Sequence, residues 1–120
     1  MSGATAEKSL LPENPEDQKL ITLARAALAR TRAQQGACVR DTDGRAYAAV
    51  SVHLDHLSLS AIAVAVATAV SSGASGLEAV AVAGAPPSDE DLDVLRDLAQ
   101  SGVAVWSVDV QGHILQVSRL

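Results

Sequence analysis

The segment His53-Leu54-Asp55-His56 places two imidazoles close together in the sequence. Neutral imidazole is the commonest protein ligand for transition metals, and Asp91, farther along the chain, would supply a third donor. A metal held by three such ligands, with one position open to water, catalyses hydrolysis. The same segment also fits a solvated loop between a strand and a helix. A metal site and a polar loop therefore stand as alternatives at this point.

Cys38 is the only cysteine of the chain. It would be a candidate nucleophile if His53 lay beside it across a hairpin. Its position in a short apolar stretch favours a buried and inert thiol instead. A single cysteine also excludes an intramolecular disulfide and a multi-cysteine zinc site, and it fits a reducing compartment, so we expect a cytoplasmic protein.

An acidic cluster follows two prolines near residue 88. Its members could bind a cation, but they also suit the start of a helix, because Ser88 can cap the helix and Asp91, three residues later, completes a capping box. Acidic side chains in the first turn favour the helix dipole. We therefore interpret the cluster as a helix start. It comprises Ser88, Asp89, Glu90, Asp91 and Asp93.

Composition narrows the classes of function. The chain has 120 residues, of which 48% are hydrophobic and 19% charged, so it fits one globular domain. With 23 Ala, 14 Val, one Tyr, one Trp and no Phe, its core must be built from small side chains. The net charge of -5 and the small number of aromatic residues argue against nucleic-acid binding. The longest apolar run, 57–70, is too short to span a membrane.

The elements that must position these residues follow from periodicity and turn signals. Residues 1–13 are predicted to be a flexible N-terminal tail, and residues 14–120 one domain. Asn14 caps a helix over 15–33, and a Gly-containing turn joins strands 37–40 and 45–52. The later elements are a helix over 59–70 capped by Ser58, a strand over 77–83, a helix from Ser88, and a closing hairpin of strands 103–110 and 113–117.

The order α-β-β-α-β-α-β-β predicts an α/β fold of three layers, α-β-α, around a five-stranded mixed sheet. The helix from Leu59 to Val70 is apolar on every side, so every side must be covered. One small domain can hardly cover it, and a partner subunit is expected to do so.

Several local strings carry a resemblance to a known family. Gly36-Ala37-Cys38-Val39, then Asp43-Gly44-Arg45, then Val50-Ser51-Val52 are similar to the first hairpin of the cytidine deaminase superfamily, in its nucleoside and blasticidin S deaminase branch. Eight residues after Val52, where that family has Cys-Ala-Glu at a helix start, this chain has Ser60-Ala61-Ile62. The family's later Pro-Cys-x-x-Cys corresponds to Pro87 followed by Ser88 and Asp91.

The resemblance implies a site that this chain no longer completes. The family's zinc ligands correspond to Ser60, Ser88 and Asp91, and its proton-carrying glutamate corresponds to Ile62. Two hydroxyls and one carboxylate are a poor donor set for zinc, and an isoleucine cannot transfer a proton. The asparagine and glutamate that the family uses for ribose contacts correspond to Ser51 and His53.

The sequence therefore predicts a diverged, non-catalytic member of the superfamily without zinc or another cofactor. We expect an oligomeric scaffold or partner-binding module, a homodimer or homotetramer formed through the helix from Leu59 to Val70, since family members are dimers or tetramers. One alternative is a hydrolase of a nucleoside-like small molecule that holds metal through His53, His56 and Asp91. Another is a sensor that binds a ligand in the remaining pocket without chemistry.

Overall fold

The structure, a computed structural model, describes residues 12–120, so residues 1–11 of the predicted tail lie outside the described part. Helix α1 spans Pro15–Ala29 and is capped as predicted, because the Asn14 side chain accepts the N–H of Glu16 at 2.9 Å. The helix ends four residues before the predicted Ala33. The Thr31 hydroxyl donates to the Leu28 carbonyl and accepts the Ala33 N–H. Such local side-chain bonds compete with helical ones and end the helix.

One mixed sheet is formed by five strands: β1 (Gln35–Asp41), β2 (Ala46–Val50), β5 (Leu77–Gly84), β6 (Ala104–Val108) and β7 (Ile114–Arg119). Their order across the sheet is β2-β1-β5-β6-β7. In this sheet β5 and β6 run parallel, and the other neighbours are antiparallel. The antiparallel closing pair β6-β7 confirms the predicted hairpin.

The connection between β2 and the second helix corrects two predicted boundaries. The second strand leaves the sheet at Val50 rather than continuing to Val52. A separate two-stranded ladder follows, in which β3 (Val52–His53) pairs with β4 (Ser58–Leu59). Helix α2 therefore spans Ala61–Ser71, two residues later than the predicted start at Leu59. Its cap is Ser60 and not Ser58, because pairing with β3 keeps Ser58 extended.

Helix α3 spans Asp89–Arg96 and begins with the predicted capping box. The Ser88 hydroxyl accepts the N–H of Asp91 at 3.1 Å, and the Asp91 carboxylate accepts the N–H of Ser88 at 3.0 Å. Helix α1 covers one face of the sheet, while α2 and α3 cover the other. The three-layer α-β-α architecture is thus confirmed.

Small side chains fill the core on both faces of the sheet. On the face of the sheet that α1 covers, Ala24 of the helix and Cys38 of β1 pack with Trp106, the only tryptophan. The backbones approach so closely that a Cβ on Gly36 would lie 2.5 Å from the Ala24 carbonyl oxygen. On the other face the buried core comprises Ala37, Val39, Ala61, Ile62, Ala65, Val66, Ala69, Leu77, Val80, Val82, Leu95 and Val105.

The apolar helix α2 is covered by its own domain on one side only. Ile62, Ala65 and Ala69 are buried, whereas Ala67 and Val70 are exposed. A single chain therefore leaves part of the helix uncovered, as expected, because β1, β2 and α3 pack against its inner face. Across residues 12–120, no helix combines the length and apolar character needed to cross a membrane.

Candidate functional site

A cleft of about 400 Å³ opens where α2 and α3 begin. Its walls are the β3-β4 ladder, the loop between α1 and β1, and the residue that follows β5. A volume in this range suits a small-molecule ligand. The lining residues are Arg32, Ala33, Gln34, Gln35, Ser51, His53, Ser58, Leu59, Ser60, Ala85 and Asp91.

Two of the three positions that correspond to zinc ligands, Ser60 and Asp91, line this cleft. All three side chains already make helix-capping bonds. The Ser60 hydroxyl accepts the N–H of Ala63 at 3.0 Å, and Ser88 and Asp91 cap each other at the start of α3. Two neutral hydroxyls and one carboxylate, engaged in this way, do not fit a catalytic zinc ion, for which thiolate or imidazole donors are needed.

Ile62 is the residue that the resemblance assigns to the position of the proton-carrying glutamate. Its exposure is 0%, and it packs in the apolar core between α2 and the sheet. It is absent from the lining of the cleft. The side chain therefore contributes apolar volume to the core and no acid-base group to the site.

Ser51 and His53, the positions that correspond to ribose contacts, both reach the cleft. The backbone N–H of Ser51 donates to the Gln35 carbonyl at 2.9 Å, which holds Ser51 at the wall of the cleft. The Nδ1 atom of His53 lies 3.0 Å from the Ser58 hydroxyl across the β3-β4 ladder. The cleft thus retains hydrogen-bonding groups at these two positions, although not an amide and carboxylate pair.

The structure does not bring together the alternative metal set of His53, His56 and Asp91. His56 lies in a separate surface depression formed by residues 53–57, while Asp91 lines the cleft. Within residues 12–120, no three His, Cys, Asp or Glu side chains are grouped so that they could hold a metal ion. The segment from His53 to His56 is exposed and polar.

Cys38 lies in the core beneath α1, with 0% exposure, whereas His53 is exposed at the cleft. Burial raises the pKa of the Cys38 thiol to about 11. A thiol with such a pKa is almost wholly protonated at neutral pH, and the thiolate is the nucleophilic form. The structure therefore does not form the Cys38-His53 pair.

Gln35 is a cleft residue that sequence reasoning missed. Its side chain is buried, with 5% exposure of the residue. Its Oε1 accepts the N–H of Ala61 at 2.9 Å, and its Nε2 donates to the carbonyls of Ala85 at 3.1 Å and Pro86 at 3.4 Å. A polar residue directly before the apolar stretch from Gly36 to Val39 was the available signal, because a buried amide needs partners.

The chain is an α/β protein with a five-stranded mixed sheet and helices on both of its faces, and a cleft lies where two of these helices begin. The family model described as "Cytidine deaminase-like" matches residues 13–112. The chain therefore belongs to the cytidine deaminase-like family.

Solved structures show the same fold. Cytidine deaminase from Burkholderia pseudomallei is 23% identical with a TM-score of 0.75, and the match covers 85% of this chain and 91% of that one. Cytidine deaminase from Mycobacterium leprae is 20% identical with a TM-score of 0.68, again over 85% of this chain and 91% of that one. No curated protein shows a significant match to the sequence.

Proposed function

We propose that this chain is a non-catalytic member of the cytidine deaminase-like family, a cytoplasmic protein that acts as a self-associating scaffold or partner-binding module. The observation that carries the proposal is the burial of Ile62 at the position of the family's proton carrier. Deamination needs a group there that takes a proton from water and delivers it to the base. An isoleucine with 0% exposure does neither.

The donor set supports the same proposal. Ser60 accepts the N–H of Ala63 in the first turn of α2, and Ser88 and Asp91 exchange two bonds at the start of α3. Binding a metal through these side chains would compete with the caps, and a helix cap contributes about 0.5–2 kcal/mol. The residues at the family's ligand positions thus stabilise the fold directly.

The test is an ammonia-release assay with cytidine on purified protein, together with metal analysis of the same sample. We expect no ammonia above the uncatalysed rate and substoichiometric zinc. Enzymatic ammonia release would overturn the proposal. Stoichiometric zinc that is lost in His56→Ala but kept in His113→Ala, a matched exposed histidine, would establish the alternative hydrolase.

Self-association is the second part of the proposal, and exposed apolar side chains beside α2 support it. Leu57 is 48% exposed, and Leu59 37%, in the segment that leads into the helix; on α2 itself Val70 is 53% exposed. The outer face of the helix is continued by Ala67. Burial of such side chains against a second copy would contribute about 25 cal/mol for each Å² of apolar area removed from water, which offsets the entropy that the two copies lose on association.

Analytical ultracentrifugation at micromolar concentration tests this part, with Leu57→Asp and Val70→Asp as the disrupting variants. We expect a dimer or tetramer for the native chain and a shift to monomer in both variants. Leu115→Asp is the matched control, because Leu115 is 61% exposed but lies on β7, at the opposite edge of the sheet from β2. A native monomer, or equal dissociation in the control, would contradict the interface.

Ligand binding without chemistry is a second candidate function, favoured by the open cleft. Its lining includes three serine hydroxyls, an imidazole, the Arg32 side chain and Asp91. Cytidine is the probe, since solved cytidine deaminases share the fold. A rise in melting temperature that depends on cytidine concentration and disappears in Ser51→Ala would support this function. An unchanged melting temperature at millimolar cytidine would exclude cytidine as the ligand.

A further inference from the structure

We infer that Gln35 has replaced the metal ion as the link between the start of α2 and the loop that leads into α3. This inference rests on the proposed function, because it assigns to a side chain the architectural task that a shared ion performs in a zinc-binding relative. The family's ligand positions lie at both helix starts, so a metal there would join them. Gln35 joins α2 to the loop that leads into α3.

The hydrogen bonds show why a carboxamide suits this place. On one side an N–H group of α2, from Ala61, needs an acceptor; on the other, the Ala85 carbonyl needs a donor. Carboxamide side chains offer an oxygen acceptor and two N–H donors on one planar group. Gln35 uses both kinds of atom at once, and its 5% exposure leaves little competition from water.

The serine caps alone do not supply such a link. Ser60 bonds to Ala63 within the start of α2, and Ser88 bonds to Asp91 within the start of α3. Each cap satisfies its own helix and leaves the two helices unconnected. Gln35 acts between elements, from β1 to α2 on one side and to the β5-α3 loop on the other.

The backbone around Gln35 is shaped to hold this position. The Ala85 N–H donates to the Gln34 carbonyl at 3.0 Å, which fixes the β5-α3 loop against the start of β1. Gly84 has φ +86°, and a Cβ there would lie 2.5 Å from the Gln34 carbonyl oxygen. Only glycine adopts this conformation and this approach without strain. The loop carbonyls therefore come within reach of the Gln35 amide.

Amide hydrogen exchange at Ala61, followed by NMR on the full-length protein, tests the link directly. In Gln35→Met, which keeps the side-chain length but removes the hydrogen bonds, we expect exchange at Ala61 to be about tenfold faster and the melting temperature to be lower by about 5 °C. Gln34→Met is the neighbouring control. Val82→Ala is a core control that lowers the melting temperature without selectively accelerating exchange at Ala61.

Dialysis against EDTA separates the amide from a metal. We expect the native chain to keep its exchange protection at Ala61 after dialysis. Faster exchange after EDTA, or equally slow exchange in Gln35→Met, would overturn the inference. If Gln35→Met does not fold, Gln35→Glu replaces it, because the carboxylate keeps the acceptor for Ala61 and loses the donors. In this variant we expect Ala61 to stay protected from exchange while the melting temperature falls. An unchanged melting temperature would contradict the link. Ammonia release from cytidine, by contrast, tests the proposed function alone.

Discussion

Helices α2 and α3 begin at the same cleft, and each starts with a serine cap, yet their surfaces differ. Helix α3 carries three acidic residues in its first turn and Arg96 in its last turn, and its exposed positions are charged. Helix α2 has no acidic residue in its first turn and no basic residue in its last, and its outer face shows Ala67 and Val70 to solvent. The exposed positions of α2 are thus uncharged, whereas those of α3 are all charged.

The starts of the two helices are stabilised in different ways. The start of α3 is stabilised locally, by reciprocal bonds between Ser88 and Asp91 and by the helix dipole. The start of α2 depends on tertiary contacts, namely the bond from Ala61 to Gln35 and the burial of Ile62. The start of α3 is thus capped by its own side chains, although Leu95 anchors the helix in the core, whereas the start of α2 also takes a bond from Gln35.

The largest effect is expected when the family's glutamate is returned to α2. Ile62→Glu places a carboxylate in the apolar core without a partner, which should lower the free energy of unfolding by about 3–5 kcal/mol at neutral pH. Burial raises the pKa of such a carboxyl above its unfolded value of about 4.3, so the destabilisation should grow as the pH rises from about 4 to 7.

Urea unfolding followed by Trp106 fluorescence measures this effect, since Trp106 lies in the core on the opposite face of the sheet. Ile62→Val, which removes one methylene, is the size control and should cost about 0.5–1.5 kcal/mol without this pH dependence. Native-like stability of Ile62→Glu at neutral pH would mean that the side chain reaches the cleft after all.

A smaller loss of stability is expected when either serine cap, Ser88 or Ser60, is removed, and the two losses should differ. Ser88→Ala should cost about 1–2 kcal/mol, because it breaks a reciprocal capping box in a helix with few other constraints. Ser60→Ala should cost about 0.5 kcal/mol, because Gln35 still holds the start of α2 at Ala61. Urea midpoints measure both costs, with the exposed Ser101→Ala as control. A greater cost for Ser60→Ala than for Ser88→Ala would reverse the comparison.

The smallest effect concerns the charged outer face of α3. Asp93→Ala removes an exposed ion pair in which Oδ1 of Asp93 lies 3.0 Å from Nη1 of Arg96. We expect a loss of about 0.5 kcal/mol or less, which vanishes in 1 M salt. Thr68→Ala on α2 carries no charge, so its effect should not depend on salt. Salt dependence of equal size in the two variants would contradict the contrast between the helices.

Features whose partners lie within a few residues could be predicted from the sequence. The capping box of Ser88 and Asp91 and the Asn14 cap each join atoms two or three residues apart, so residue type and spacing are sufficient. The cap of α2 was misplaced at Ser58, since the choice between two serines depends on whether Val52 pairs with Leu59. That pairing is not visible in local periodicity.

In the candidate site, too, what could be predicted depends on how far apart the contacting residues lie in the sequence. The resemblance assigned Ser60, Ile62, Ser88 and Asp91 to the degenerate positions, and the family model confirms the family. Gln35 was missed because its partners, Ala61 and Ala85, lie 26 and 50 residues away. The separation of His56 from Asp91 could not be foreseen either, since a strand-to-helix loop can turn toward the cleft or away from it.

By itself, the sequence determined the family, the order of the main elements and the residue types at the two helix starts beside the cleft, because these depend on side-chain chemistry and spacing along the chain. Only the tertiary structure decided that Ile62 is buried in the core, that His56 lies outside the cleft and that Gln35 bonds the start of α2 to the β5-α3 loop. Contacts between distant segments depend on how the strands pair and the helices pack, and no local pattern records that geometry.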